Sequence, residues 1–173
     1  CLHLPLTFPM SQLNRFLQAQ DATSNGFATA VAELQAGRKQ SHWIWYIFPQ
    51  LAGLGQSATA RQYGIRDAAE ATEYLRHPIL RERLIAATLA VAQQVDRDEP
   101  ADLATLMGSD LDARKLVSSL TLFREVAHPL AADGSEPDCA LLASLADSVL
   151  DRAADQGLAE CGFTLEQLAG SGS

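Results

Sequence analysis

Residues 80–95 read LRERLIAATLAVAQQV and carry the clearest structural pattern in the chain. Apolar or small side chains recur there mainly at spacings of three and four residues, the period of one helical face. They are Leu80, Leu84, Ala87, Thr88, Val91 and Val95. Because His77-Pro78 precedes this stripe and the polar segment 96–100 follows it, the sequence predicts a long core helix.

Shorter stripes before and after this helix predict further helices. Apolar residues recur at helical spacing in 13–17, 27–34 and 116–127, and the pairs His77-Pro78 and His128-Pro129 are expected to end helices. Short segments in which apolar and polar residues alternate between turn residues would indicate the strands of a sheet, and such segments do not recur along the chain. The predicted fold class is therefore all-α.

We expect one compact domain of about six to eight helices, because 173 residues fall within the size range of one domain. Its expected bounds are 11–169, with 1–10 as an N-terminal extension outside the core and 170–173 as a flexible tail. No composition shift or internal repeat suggests a second domain.

Composition excludes several classes of partner. A net charge of −8 would repel duplex nucleic acid and anionic membranes at long range. The longest apolar run is far shorter than the roughly 20 residues that span a bilayer.

Cys1, Cys139 and Cys161 form no close pair, which favours a reducing, cytoplasmic setting.

The segment 37–50 reads GRKQSHWIWYIFPQ and concentrates aromatic residues in a chain with only 6% of them. Residue propensity favours a strand over 43–48. A lone strand in a helical domain would leave its backbone groups unpaired, whereas a helix satisfies its own. We therefore predict a short helix with Ser41 as its N-cap and Pro49 as its terminator.

Several motifs resemble one known family. Beside 37–57, the segments 63–65, 74–80 and 115–123 are similar, in the same order, to the bacterial domain-of-unknown-function 1810 family, whose members are often labelled calpastatin. The resemblance covers about residues 13–150. It implies a mostly helical cytoplasmic protein and carries no established activity or catalytic residues.

The segment 37–57 is also the candidate ligand site. Arg38, Lys39 and His42 can donate hydrogen bonds to an anion, and indole rings can hold a flat ring. The predicted ligand-binding residues are Arg38, Lys39, His42, Trp43, Trp45, Gly53, Gly55 and Ser57. An alternative interpretation places both tryptophans in the core and leaves Arg38 and Lys39 as exposed cations after a helix end.

Three functions are compatible with these residues. The leading hypothesis is a binding module for a small anionic, nucleotide-like ligand, with protein partners left open. The second is a hydrolase or glycohydrolase acting on a nucleotide-derived substrate, with His42 as acid or base assisted by Ser119 or Glu73. The third is a protein-interaction domain that uses exposed apolar helix faces.

No metal or cofactor is expected. The four histidines are scattered and lack the close spacing with each other or with cysteine that metal sites use. Residues 53–58 match the pattern G-x-G-x-x-A, but 49–52 separate them from any preceding strand, so nicotinamide binding is not expected. A second polar cluster on the helix over 115–124 includes Lys115, Ser118 and Ser119 and could face the first.

Overall fold

The computed structural model describes residues 12–171 and confirms the all-α fold class. The described helices are α1 (Asn14–Gln20), α2 (Phe27–Gln35), α3 (Ile44–Ile47), α4 (Ala58–Tyr63), α5 (Ala68–Arg76), α6 (Pro78–Val95), α7 (Leu103–Met107), α8 (Asp110–Ala132), α9 (Cys139–Asp155) and α10 (Gly162–Gly170). Three of these helices are shorter than seven residues. The other seven agree with the expected number of six to eight helices. Within 12–171 there is no strand, only an isolated bridge between Leu51 and Ile65.

The domain bounds stay a prediction. Residues 1–11 lie outside the described residues, and so does the expected extension 1–10. Of the expected tail, 172–173 lie outside them too, whereas Gly170 is the last residue of α10.

Three long helices form the centre of the molecule. α9 packs against both α8 and α6, α2 packs on α6, and α5 and α7 pack on α8. All six residues of the predicted stripe in 80–95 are buried, so the apolar face of α6 points into the core as expected. Pro78 occupies the first turn of α6, where its missing N–H has no helical partner to lose.

The predicted helix end at His128-Pro129 is wrong, because α8 continues through Pro129 to Ala132. A proline inside a helix removes one backbone hydrogen bond and crowds the preceding turn. Here the cost is offset by burial on both sides of the proline, since Val126, Ala127 and Leu130 all lie in the core.

The aromatic segment forms a helix, as predicted, but only for one turn. α3 begins at Ile44, and Ile44, Ile47 and Phe48 are buried among α1, α4, α6 and α8. Its N-cap is Trp43, not Ser41. So short a helix has little dipole, and the positive potential at its start is correspondingly small.

Candidate functional site

The Glu33 carboxylate, in the last turn of α2, holds the connection between α2 and α3. It accepts hydrogen bonds from Gln40 N at 2.9 Å, from Ser41 N at 2.6 Å and from Trp43 Nε1 at 3.1 Å. Burial raises the pKa of Glu33, but these hydrogen bonds outweigh burial and the pKa is lowered. Glu33 therefore holds the backbone of Ser41 three residues before α3 begins, which is too early for Ser41 to be the N-cap.

Lys39 is buried against a carboxylate of α8. Its Nζ lies 2.8 Å from Asp112 Oδ2, its side chain is 6% exposed, and its backbone N–H donates to Leu106 O at 2.7 Å. Lys115 Nζ lies 3.2 Å from the other oxygen of Asp112. Burial raises the pKa of Asp112, but the hydrogen bonds and charges of both lysines outweigh burial and the pKa is lowered.

Trp45 borders a cleft of about 420 Å³ between the α3–α4 connection and α8, which we call the Trp45 cleft. The α3–α4 side contributes Trp45, Gln50, Leu54, Gly55, Gln56 and Ser57, and α8 contributes Leu111, Arg114, Lys115 and Ser118. Three of the predicted ligand-binding residues, Trp45, Gly55 and Ser57, thus line the same cleft as Lys115 and Ser118 of the second polar cluster. None of these lining residues is acidic.

Lys115 is fixed at the wall of this cleft by two contacts. Its Nζ lies 3.7 Å from the centroid of the Trp45 ring, a close cation–π contact, and it shares Asp112 with Lys39. Trp45 itself is half-buried, and its Nε1–H donates no hydrogen bond to any residue in 12–171. The indole therefore keeps an accessible edge and a free donor.

Arg114 gives the Trp45 cleft its unneutralised charge. The side chain is exposed, and among the described residues its guanidinium makes no ion pair or hydrogen bond. Asp112 neutralises one of the two lysine charges beside it. The cluster of Lys39, Asp112, Lys115 and Arg114 therefore carries a net positive charge, although the chain as a whole has a net charge of −8. An anion entering here would meet donors without a competing carboxylate at the wall.

The α3–α4 connection, which forms the wall of the Trp45 cleft opposite α8, contains residues that its close packing requires. A Cβ at Gly55 would lie 2.8 Å from Ala60 Cβ, so only glycine fits without a shift of the backbone. Ser57 is the N-cap of α4, and its Oγ accepts from Ala60 N at 3.1 Å. Gly53 lies beside Phe163, away from the lining of the cleft.

The remaining predicted ligand residues do not converge on the Trp45 cleft. Trp43 is fully buried in the core. Arg38 lines a different cleft, beside Thr105 and Asp110. His42 is exposed, and its carbonyl accepts from Tyr46 Oη at 3.3 Å.

The three catalytic candidates are placed in unlike surroundings. Ser119 is fully buried in α8, and its Oγ has no hydrogen-bond partner among the described residues. His42 lies in the α2–α3 connection and Glu73 on the exposed side of α5. Within 12–171 no hydrogen bond joins any two of the three.

Sequence reasoning passed over Arg114 and Leu111. Positions 111, 114, 115 and 118 are separated by three, one and three residues, so they share one face of α8. That spacing is the signal that could have found them, because it places them on the same helix face as Lys115 and Ser118. The structure adds that Leu111 is 63% exposed although it is apolar.

A smaller cleft of about 320 Å³ adjoins Arg114 and Ser118 and contains Cys161, the N-cap of α10. Burial raises the pKa of the Cys161 thiol, but hydrogen bonds from the Ser118 side chain and from the backbone of Thr164 and Phe163 outweigh burial and the pKa is lowered. Arg114 and Ser118 therefore belong to the walls of both clefts. Within 12–171 no group of three potential ligands from His, Cys, Asp and Glu is close enough to hold a metal ion.

No helix in the described part of the chain combines the length and the apolar character needed to cross a membrane.

The comparisons with known proteins identify a similar solved structure and a family for this chain. The crystal structure of the conserved hypothetical protein Rv1873 from Mycobacterium tuberculosis is similar, with 34% sequence identity and a TM-score of 0.69. The match covers 91% of this chain and 96% of that one. No curated protein matches the chain significantly. The model of the family described as protein of unknown function DUF1810 matches residues 10–133, and the chain belongs to this family.

Proposed function

We propose that the Trp45 cleft binds a small anionic ligand that carries a flat ring, such as a nucleotide. The observation that carries this proposal is the contact of Lys115 with Trp45, with Arg114 unpaired beside it among the described residues. A cation and an aromatic ring held at one wall can receive the anionic part and the ring part of a single molecule.

Charge favours an anion over a neutral or cationic ligand. Arg114 offers guanidinium donors, and Lys115 is kept in position by Asp112 at 3.2 Å. Ser57 and Ser118 add hydroxyl groups to the same cleft. Hydrogen bonds from charged donors to phosphate or carboxylate are the strong ones, so these groups favour a phosphorylated or carboxylated ligand.

The apolar part of the lining favours a ring. Leu54 and Leu111 lie beside the half-buried indole of Trp45, and Leu111 is 63% exposed. An exposed leucine beside an aromatic side chain leaves apolar surface that a bound ring would cover.

Thermal-shift screening of the whole chain against nucleotides, ADP-ribose and sugar phosphates tests this proposal. A ligand present at 100 times its Kd stabilises the folded state by about 2.7 kcal/mol, which gives a measurable rise in Tm. We expect a rise with at least one phosphate that carries a flat aromatic base and a smaller rise with ribose 5-phosphate, which lacks the base.

Variants at the cleft and away from it locate the site. Trp45→Leu and Arg114→Gln should reduce the rise in Tm, whereas Arg38→Gln and His42→Ala, which change residues outside the cleft, should leave it intact. A ligand whose effect is lost in Arg38→Gln but kept in Arg114→Gln would overturn the proposal. Turnover of a stabilising ligand would identify an enzyme at the same cleft.

A further inference from the structure

A second cationic cleft lies on the opposite end of α4 from Ser57. It has a volume of about 490 Å³ and is lined by Arg15, Arg61 and Arg66 together with carboxamide side chains that include Gln18 and Gln62. None of the lining residues is acidic. We call it the Arg61 cleft.

A buried carboxylate fixes two of these arginines. Glu70 is 1% exposed; its Oε1 lies 2.7 Å from Arg15 Nη2, and its Oε2 lies 2.9 Å from Arg66 Nε. Glu70 neutralises one positive charge out of three, so the cleft keeps an excess of positive charge. Arg66 is 56% exposed, and beyond its Nε it makes no other side-chain bond within 12–171.

Arg61 is the unpaired arginine of the cleft. It lies in the last turn of α4, where a cation is favoured by the helix dipole. The hydrogen bonds to this helix end come from another residue, because Arg15 donates to Gln62 O at 2.8 Å and to Gly64 O at 3.1 Å. Among the described residues Arg61 has no ion pair or hydrogen bond of its own guanidinium.

We propose that the Arg61 cleft binds the phosphate group of a small phosphorylated and hydroxylated molecule, such as a sugar phosphate. Free donors of Arg61 and Arg66 match the oxygens of phosphate, since guanidinium groups bind it through paired hydrogen bonds. The neighbouring carboxamides of Gln18 and Gln62 can both donate and accept, which suits hydroxyl groups. None of the described residues that line the cleft is aromatic, so the proposed ligand class differs from that of the Trp45 cleft.

Calorimetric titration of the full chain with glucose 6-phosphate and with inorganic phosphate, at about 0.1 M salt, tests the proposal. Both should bind, and glucose should not. Arg61→Gln and Arg66→Gln should each weaken glucose 6-phosphate binding about tenfold, because each removes a charged donor. Arg66→Gln leaves the Arg15–Glu70 pair in place, and circular dichroism checks that each variant is folded.

Arg97→Gln is the matched control, since it removes the same charge from an exposed arginine that lines neither the Arg61 cleft nor the Trp45 cleft. It should change the affinity less than about twofold, because it removes no donor from the Arg61 cleft and distant surface charges are screened at this salt concentration. Equal weakening by Arg97→Gln and Arg61→Gln would overturn the proposal, as would failure of both phosphates to bind. Tighter binding of a single-stranded octanucleotide than of glucose 6-phosphate would also overturn it, in favour of a nucleic-acid backbone.

Discussion

Trp43 Nε1 donates to Glu33 Oε2 at 3.1 Å, which ties the largest fully buried side chain to the last turn of α2. The same carboxylate binds the backbone N–H groups of Gln40 and Ser41. One side chain therefore satisfies three donors in a connection that forms no helix of its own.

Replacing Glu33 with alanine should lower the free energy of unfolding by about 2 kcal/mol, because three donors lose their acceptor. Glu33→Gln keeps one acceptor oxygen and should cost less. Urea unfolding of both variants measures the difference. A loss below about 0.5 kcal/mol in Glu33→Ala would mean that water replaces the carboxylate at no cost.

Acidification should destabilise the protein partly through Glu33 and Asp112. Their ordinary pKa values are 4.5 and 3.8, and both are lowered in the folded state. Their contribution is complete above these unfolded values and is lost as the pH falls through the lower folded values. Urea unfolding between pH 7 and pH 3 should therefore show a shallower loss in Glu33→Gln than in the wild type; parallel curves would contradict this.

Asp112→Ala should destabilise the fold by about 3 kcal/mol, because it leaves Lys39 buried without its partner. Lys39→Met with Asp112→Leu should recover only part of this loss, since Lys39 is then no longer a buried charge without a partner, whereas Lys115 still loses its contact with Asp112. Thermal unfolding of Lys39→Met, Asp112→Leu and the double variant measures the coupling. If the double variant is as unstable as the sum of the single ones, the two side chains do not interact energetically.

Cys161 should react with iodoacetamide faster than Cys139 near neutral pH. Hydrogen bonds lower the pKa of the Cys161 thiol, whereas burial raises the pKa of Cys139 from its ordinary value of 9.0, so the thiolate fraction is larger at Cys161. Mass spectrometry of a Cys1→Ser background measures both rates. Ser118→Ala should slow the reaction at Cys161, and modification of Cys139 first would refute the expectation.

Much of the fold follows from local patterns in the sequence. The stripe from Leu80 to Val95 predicts α6 because helix geometry alone repeats an apolar face at that period. The helical state of α3 follows from backbone hydrogen bonding, despite strand-favouring residues. The course of α8 past Pro129 does not follow, since the burial of Val126 and Leu130 that offsets the proline depends on packing between helices.

The site was less predictable, for a related reason. Lys39 looks like a surface cation in sequence, yet its partner Asp112 comes about 70 residues later, a separation at which local patterns carry no information. Trp45 and Lys115 each stand out in the sequence, but their contact at 3.7 Å depends on how α3 packs on α8. The chemistry of each side chain can be inferred from the sequence, whereas which side chains meet in space depends on the fold.

The bonds of Lys39 to Leu106 and Asp112 also bear on the order of folding. Contacts distant in sequence pay the entropy of closing a long loop, while α8 and α9 are neighbours joined by a short connection. We therefore expect the helical pairs to form first and the segment around Lys39 to dock last. Substitutions at Lys39 would then accelerate unfolding and leave the folding rate nearly unchanged.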